Sequence, residues 1–280
     1  MILGAHCPVR AGFAVALRFA GEAGGGAMQV FPYGRHRDSS PEELVDFRAA
    51  RAAGPVRRLL VHSRFSPCLA SRDDRLRRRS IDNIDRELRL AAAMGAEAFI
   101  LHAGAYSEES CREEGLRLCA DSVCAAMDRS GAALPVLFEN VPGGGRRLGA
   151  GLMDLAGLLE PLRRAGRPCG ICIDTAHAWA AGFDLSSAEG MLRFLSRLHR
   201  LVGADSVRAF HLNDTRALLG SQRESHVPWG EGYLGLEGMR ALLGRPEYSD
   251  RPAIVELPAG ATSGDYRASL ARLEGLRTRA

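Results

Sequence analysis

Eight short apolar runs recur along the chain, and a longer stretch separates each run from the next. The runs are rich in aliphatic and β-branched residues, which is typical of buried strands. They read ILGAH from Ile2, AMQVF from Ala27, RRLLVH from Arg57, AFILHAG from Ala98, PVLFEN from Pro135, CGICID from Cys169, VRAFHLND from Val207 and PAIVEL from Pro252. The stretches between them include amphipathic helical segments, such as Ser80 to Met94, Glu108 to Met127, Glu189 to Leu201 and Tyr266 to Leu276. Eight strands that alternate with helices predict the α/β class and a (β/α)8 TIM barrel.

The composition is that of one well-packed domain. The 280 residues are 46% hydrophobic and 25% charged, and no long low-complexity segment divides them. We therefore expect one barrel domain over residues 1–280. The opening MILGAHCPVR is strand-like and too polar for a signal peptide, and no apolar run reaches the length of a membrane span. A cytoplasmic location without a membrane partner is expected, and nothing in the sequence indicates an oligomer.

The cysteines and the charge exclude little. Seven cysteines form an odd set, and Cys169 and Cys172 lie in one predicted strand where alternation places their thiols on opposite faces. We interpret them as reduced core residues. The net charge is +4 and every basic residue is arginine, whose planar donor fork suits phosphate. A biased amino-acid composition explains the arginines equally well, so the charge alone does not identify a nucleic-acid partner.

A histidine or a carboxylate residue ends most of the predicted strands. In chain order they are His6, His62, His102, Glu139, Asp174, His211 and Glu256. In a barrel of parallel strands these ends meet on one face, which is where the active sites of such barrels are found. Residues far apart in the sequence are therefore predicted to become neighbours.

The block GICIDTAHAWAAGFDL from Gly170, in which a strand ends at Asp174, adds His177 as a further candidate. Asp174 and His177 form an Asp-x-x-His pair, which alone is a weak signal because such a carboxylate often caps a helix and such a histidine often only donates a hydrogen bond. The loop GSQRESHVPWGEG from Gly220 adds Glu224 and His226, which share a face if the loop is extended. A lone loop histidine is usually a surface residue, but His226 lies shortly after HLND. With His177 the two make a plausible three-ligand site.

The residue types at the strand ends favour metal binding. Several buried carboxylates in one place would repel one another and lose their hydration unless cations compensated them. Imidazole nitrogen and carboxylate oxygen without thiolate match zinc or manganese better than calcium or magnesium. The candidates also outnumber what one tetrahedral ion can use. Clustered metals suit phosphodiester hydrolysis, because they polarise phosphoryl oxygens and stabilise a leaving alkoxide.

At these residues the chain resembles the endonuclease IV family of apurinic/apyrimidinic endonucleases. The similarity lies in GICIDTAHAWAAGFDL, FHLND, LFEN and the GEG at Gly230 to Gly232, and it extends from GAH near the start to the last strand. Long matches at the correct spacing are specific. The resemblance implies a barrel that binds three zinc ions, with manganese as an alternative occupant at one site.

The ligands that the resemblance implies can be assigned one by one. The first zinc would be bound by His62, His102 and Glu139; the second by Glu139, Asp174, His211 and Glu256; the third by His177, Glu224 and His226. The implied reaction is hydrolysis of the phosphodiester on the 5′ side of an abasic site in double-stranded DNA, which leaves a 3′-hydroxyl. Glu139 and Glu256 would position the attacking hydroxide as the catalytic carboxylates. The family also implies clearing of blocked 3′ ends, and an enzyme that works at the nucleoid.

Three departures from the family affect the third site and the DNA contacts. Glu224 stands where the family usually has Asp, and the usual His-Pro-Gly-Ser-His becomes HAGAY from His102. The recognition loops, FPYGRHRD from Phe31 and HSRFSPCLAS from His62, match poorly. We expect Phe65 to be the aromatic wedge at the lesion, although ordinary loop packing is an equal alternative. The remaining expected DNA contacts are His6, Arg35 and Arg37, with His36 as another source of the basic side chain.

Two other functions fit part of the pattern. A sugar isomerase or epimerase of the related barrel class would use Glu139, Asp174, His211 and Glu256 around one divalent ion. Such an enzyme would not need His62, His102, His177, Glu224 and His226. A non-catalytic protein that binds damaged DNA is the second alternative, although it would have little reason to keep every ligand.

Overall fold

A closed barrel of eight parallel strands forms the centre of the protein. The computed structural model describes residues 1–34, 40–64 and 67–277. The strands of these ranges are β1 Ile2–His6, β2 Ala27–Val30, β3 Arg58–His62, β4 Ala98–His102, β5 Val136–Glu139, β6 Cys169–Asp174, β7 Val207–His211, β8 Asp214–Thr215, β9 His226–Val227 and β10 Pro252–Val255. Around the barrel the order is β1, β10, β7, β6, β5, β4, β3, β2. The predicted (β/α)8 architecture is confirmed, and the short strands β8 and β9 form a separate antiparallel pair.

Helices occupy most of the connections between the barrel strands. Those in the described ranges are α1 Phe13–Ala23, α2 Pro41–Ala52, α3 Asp74–Ala93, α4 Arg112–Ser130, α5 Leu152–Arg164, α6 Thr175–Ala180, α7 Ala188–Val202, α8 Glu237–Leu243 and α9 Ser263–Arg277. Helix α3 begins before the predicted Ser80, because the Asp73 carboxylate accepts hydrogen bonds from the backbone of Arg75 and Leu76 at 2.8 and 3.1 Å. A side-chain cap of this kind satisfies amide groups that would otherwise lack partners.

The apolar residues pack in two layers. The smaller layer fills the inside of the barrel with Ala27, Leu60, Ala98, Ile100, Leu137, Cys172, Ala209 and Ile254. The larger layer lies between the strands and the helices, and Cys169 packs against it. The cysteines are unpaired, and burial raises the pKa of Cys172 to about 12. The two thiols thus occupy different layers of the core, as the strand alternation predicts.

The wall of the barrel is especially tight where β1 meets β2. Gly4 pairs with Ala27, and a Cβ atom added at Gly4 would lie 1.9 Å from the Ala27 carbonyl oxygen. A residue with any side chain would therefore push the two strands apart. The glycine of the GAH sequence has a packing role, which is separate from the chemistry of the histidine beside it.

Strand register places the polar strand ends side by side. His6 pairs with Gln29, His102 with Glu139, and Asp174 with His211. Neighbouring strands lie about 4.8 Å apart, so paired side chains on one face reach the same small volume. Within the described residues, no helix has both the length and the apolarity needed to cross a membrane.

Candidate metal centre

Glu139 lies at the centre of the polar cluster. Its side chain is 1% exposed, and its Oε2 atom lies 2.9 Å from Nε2 of both His62 and His102. These three residues end β3, β4 and β5, which are consecutive around the barrel. They form the first of three groups whose ligand atoms all lie within 4.8 Å of one another.

The other oxygen of Glu139 belongs to a second group. Glu139 Oε1 lies 2.9 Å from His211 Nδ1. The same nitrogen is 3.4 Å from Glu256 Oε2 and 3.9 Å from Asp174 Oδ2. Glu139, Asp174, His211 and Glu256 thus surround one point, and Glu139 joins this group to the first through its two oxygens.

The third group differs from the prediction in its carboxylate. The compact set of ligand atoms combines His177 and His226 with Asp174. Glu224 lies at the edge: its oxygens are 3.6 Å from His177 Nε2 and 3.9 Å from His226 Nε2. Its side chain is 55% exposed, as expected for a long side chain on a loop that reaches the cluster from outside. Glu224 is therefore near the predicted position but less tightly held than Asp174.

Asp174 combines the two roles that the sequence left open. Its Oδ1 accepts a hydrogen bond from the His177 backbone at 2.8 Å and so caps helix α6. Its Oδ2 lies 3.8 Å from His226 Nε2 and also faces His211. One carboxylate therefore begins a helix and contributes to two of the three groups.

Backbone carbonyls fix the hydrogens on two of the imidazoles. A carbonyl can only accept, so His62 Nδ1, 2.7 Å from the Ser63 oxygen, carries a hydrogen, as does His177 Nδ1, 2.9 Å from the Asn140 oxygen. Each ring then directs Nε2 at the cluster. Among the described residues, the buried Nε2 atoms of His177 and His226 have no hydrogen-bond partner. Buried nitrogens without partners are costly unless a ligand binds them.

The carboxylates and histidines of the cluster shift one another's pKa values. Burial would raise the pKa of Glu139, but His211 and His102 hold it well below its usual value. The same opposition acts on His62, His177 and His211, where burial lowers the pKa and nearby carboxylates raise it. For His177, where Asp174 is the largest carboxylate influence, the result is a pKa well above the usual 6.5. The cluster therefore favours a positive charge at each of these positions, whether as protons or as cations.

The arrangement fits divalent cations on three counts. Nitrogen and oxygen ligands are mixed without thiolate, which suits zinc and related ions. Second ring nitrogens donate to fixed oxygens, which is the usual support of metal-binding histidines. Finally, the two nitrogens without hydrogen-bond partners lie near carboxylates: His226 Nε2 is 3.8 Å from Asp174 Oδ2, and His177 Nε2 is 3.6 Å from Glu224 Oε2. Eight of the nine residues that the sequence predicts as ligands lie in the three groups, and Glu224 adjoins the third.

Two asparagines that were not predicted as site residues support the cluster. Asn213 donates to Asp174 Oδ2 at 2.7 Å and to Glu256 Oε2 at 3.1 Å, and its oxygen accepts from the Glu256 backbone. The Asn140 side chain bonds the backbone of Asp174 at both its N–H and its carbonyl. In the sequence, Asn140 directly follows Glu139 in LFEN, and Asn213 lies two residues after His211 in HLND. A polar side chain expected to be buried beside a strand end needs a hydrogen-bond partner, and this was the signal that could have identified them.

The GEG sequence has a structural explanation. The Asp214 carboxylate accepts hydrogen bonds from the backbone of Gly230, Gly232 and Leu234 at 2.9 to 3.2 Å. A Cβ atom at Gly232 would lie 2.3 Å from that carboxylate. The loop is thereby held against β8, and the β8–β9 pairing places His226 beside the cluster.

The predicted DNA contacts are only partly described. His6 lies at the rim, with its Nδ1 3.3 Å from Glu256 Oε1 and its ring 4.6 Å from that of Phe31. It lines a cleft of about 680 Å³. Arg35, Arg37 and Phe65 lie outside the described residues, and so does His36. The Arg64 guanidinium carbon lies over the Phe31 ring, 5.2 Å from the ring centroid.

Comparison with known proteins identifies the family. Residues 17–276 match the family described as xylose isomerase-like TIM barrel. A probable endonuclease 4 from Chloroflexus aurantiacus is 33% identical over 278 residues, which cover 98% of this chain and 97% of that protein. The chain belongs to the endonuclease IV family. Another probable endonuclease 4, from Nitratidesulfovibrio vulgaris, is also 33% identical, with 99% of each chain covered.

The solved structures agree with an endonuclease IV architecture. The crystal structure of endonuclease IV from Thermus thermophilus is similar with a TM-score of 0.85 and 28% identity, over 100% of both chains. A D-tagatose 3-epimerase-like protein has a TM-score of 0.77 at 19% identity, which shows a shared fold alone. The predicted family and the predicted hydrolase class, an endonuclease of the IV type, are thus confirmed.

Proposed function

We propose that this endonuclease IV family member hydrolyses the phosphodiester on the 5′ side of abasic sites in double-stranded DNA and leaves a 3′-hydroxyl. Removal of blocking groups from 3′ ends is proposed as a second reaction of the same site. The proposal includes three zinc ions, with manganese as the alternative at one position. The observation that supports it is the trio of adjoining ligand groups on one face of the barrel.

The proposed ligands follow the three groups. His62, His102 and Glu139 would hold the first ion; Glu139, Asp174, His211 and Glu256 the second; His177, His226 and Glu224 the third. Asp174 also reaches the third group, and its longer neighbour Glu224 would complete it from the open side. When bound, such ions lower the pKa of an attacking water, polarise the phosphoryl oxygens and stabilise the leaving oxygen.

The chain's own residues would orient the reaction. Glu139 and Glu256 each place a carboxylate oxygen near His211 Nδ1, at 2.9 and 3.4 Å. Both are held in place, Glu256 by its backbone bond to Asn213 and Glu139 by His62 and His102. These carboxylates are the proposed catalytic pair that positions the attacking hydroxide, because fixed charges at the reacting atoms need little reorganisation.

The DNA contacts are proposed from the same face. His6 at the rim would contact the DNA, and Arg35, Arg37 and Phe65, which follow β2 and β3 in the sequence, are proposed as the other contacts with the backbone and the lesion. Arginine suits phosphate through its bidentate fork, and an aromatic side chain can open a base step.

The sugar epimerase alternative has a specific structural basis, since the second ligand group by itself is a one-metal site. The first and third groups argue against it. An enzyme that acts on a sugar through one ion has no use for the buried, unpartnered nitrogens of His177 and His226. The two functions therefore differ in the number of ions that the chain binds.

Metal analysis and a cleavage assay distinguish these functions. The purified chain is analysed for zinc and manganese and incubated with a duplex that carries one tetrahydrofuran abasic mimic. About three zinc ions per chain and a single nick 5′ to the mimic are expected. One metal ion, an intact duplex and epimerisation of a ketohexose would refute the proposal in favour of the sugar enzyme.

A variant and a chelator provide the controls. Glu139→Gln keeps the shape but removes the charge shared by two groups, so cleavage should fall by at least about a hundredfold. Cleavage at the normal rate would contradict the bridging role. EDTA should abolish cleavage by the unmodified protein. If the unmodified protein binds the duplex before and after EDTA but never cuts it, the non-catalytic alternative is correct.

A further inference from the structure

Gln29 contacts two residues of the candidate metal centre, Glu256 and His211, and the rim residue His6. It is 0% exposed, and it is a polar residue in the otherwise apolar strand β2. Its Nε2 atom lies 2.7 Å from Glu256 Oε1 and 2.9 Å from His6 Nδ1. Its Oε1 atom lies 2.8 Å from His211 Nε2. A buried amide whose NH2 group and oxygen both form hydrogen bonds holds the neighbouring groups in place.

The carboxylate of Glu256 decides which way the amide faces. A carboxylate in this buried site accepts hydrogen bonds, so the Gln29 atom next to it must be the NH2 group. The opposite orientation would bring two oxygens to 2.7 Å, a repulsive contact. The Gln29 oxygen therefore faces His211, and His211 Nε2 must donate. The other nitrogen, Nδ1, lies 2.9 Å from Glu139 Oε1 and would be the nitrogen that binds an ion together with that carboxylate.

The Gln29 amide accepts a hydrogen bond from His211 but donates one to His6. One Gln29 hydrogen is directed to Glu256, which leaves the second for His6 Nδ1 at 2.9 Å. His6 Nδ1 is then an acceptor, and the ring hydrogen lies on Nε2. His6 lines the cleft shared with Phe31 and Arg64, so this hydrogen is a donor for a phosphate or hydroxyl oxygen bound there.

We infer that Gln29 is a positioning residue, which fixes the hydrogen positions on the rings of His211 and His6. The inference concerns the proposed metal centre and does not depend on which phosphodiester is cut. A chain that binds zinc and shows these ring hydrogens but leaves DNA intact would support the inference while refuting the proposed function.

The ring hydrogens can be measured directly. The zinc-loaded protein is labelled with ¹⁵N-histidine, and long-range ¹H–¹⁵N spectra identify the protonated nitrogen of each ring, assigned with His6→Gln and His211→Asn variants. Hydrogen on Nε2 of both His6 and His211 is expected. Hydrogen on Nδ1 of either ring would overturn the inference.

Two substitutions separate the two contacts. Gln29→Glu can still accept from His211 but cannot donate to His6, and it sets a second carboxylate oxygen against Glu256 Oε1. His6 should therefore move its hydrogen to Nδ1, between the two carboxylates, while His211 keeps its hydrogen on Nε2. Gln29→Leu removes both contacts, and zinc affinity measured against a competing chelator should fall about 10- to 100-fold at one site, the usual effect of losing such a supporting bond. Ser122→Ala is the control, because Ser122 is a buried polar residue of α4 whose hydroxyl bonds the Leu69 and Leu118 carbonyls; it should leave zinc affinity unchanged. Unchanged zinc affinity in Gln29→Leu would refute the role. If neither Gln29 variant folds, the spectra of the unmodified chain decide.

Discussion

Protons and metal ions are expected to compete for the cluster, so zinc should stabilise the protein much more at high pH than at low pH. Metal is removed with EDTA at about pH 6 and at about pH 8, on either side of the ordinary histidine pKa of about 6.5. The nearby carboxylates raise the pKa of His62, His177 and His211 despite burial. Each of these rings must lose its extra proton before it can bind a metal.

The metal-free protein should become less stable as the pH rises. A raised pKa means that the folded protein holds the proton more tightly than the unfolded chain, so this stabilisation is complete below about 6.5. It disappears as the pH rises through the raised values. The lowered pKa values of Glu139 and Glu256 act only in more acidic solution, below their usual 4.5. They contribute a constant amount over the range of the experiment.

The size of the effect follows from the number of protons displaced. Three rings that each release one proton make zinc binding stronger by up to about 10³ per pH unit, which corresponds to about 4 kcal/mol. For a domain of this size, 1 kcal/mol shifts the melting temperature by roughly 2–4 °C, so the shift is up to roughly 8–16 °C per pH unit.

Thermal denaturation with zinc and with EDTA measures the zinc-induced shift in melting temperature at each pH. The contributions of groups outside the cluster are the same in both measurements and therefore cancel. Calorimetry in buffers of different ionisation enthalpy counts the released protons. The reasoning is wrong if the zinc-induced shift in melting temperature is equal at both pH values, or if the metal-free protein is more stable at high pH.

Three substitutions give further tests. Glu224→Asp should keep or increase cleavage and zinc content, measured as rate and as ions per chain, because the resemblance to the endonuclease IV family implies Asp at this position. Glu87 is 0% exposed and accepts hydrogen bonds from Tyr33, Ser63 and the Arg64 backbone, so Glu87→Leu should lower the free energy of unfolding by about 1–3 kcal/mol in urea titrations. Gly4→Ala should destabilise the barrel by at least about 1–3 kcal/mol, measured by the same titration; a neutral effect would mean that β1 and β2 can separate at no cost.

Much of the fold could be predicted from the sequence, because every barrel strand is a short apolar run and most of them end at a histidine or a carboxylate. The strand starts and ends agree closely, for instance at Cys169–Asp174. Helix starts agree less well, because a single capping residue such as Asp73 decides them. Periodicity does not detect one side-chain hydrogen bond.

The site was predictable to the extent that it depends on strand ends. Residues that act through three-dimensional contacts were not, and Gln29 is the clearest case. It lies inside an apolar run and is partnered by residues far away in the chain, with Glu256 separated from it by 227 positions. The position of Glu224 was also beyond reach, because its distance from the imidazoles depends on how the loop is anchored by Asp214.

The paired register of the strand ends has a consequence for how such a site can vary. His102 pairs with Glu139, and Asp174 pairs with His211, so the spacing of these side chains is set by backbone hydrogen bonds between strands. Outer helices and loops can then change extensively without altering that spacing, as long as the barrel closes. New substrates could therefore arise by exchanging loops over a constant geometry. A designer could likewise transfer the four positions together to another barrel, but not singly.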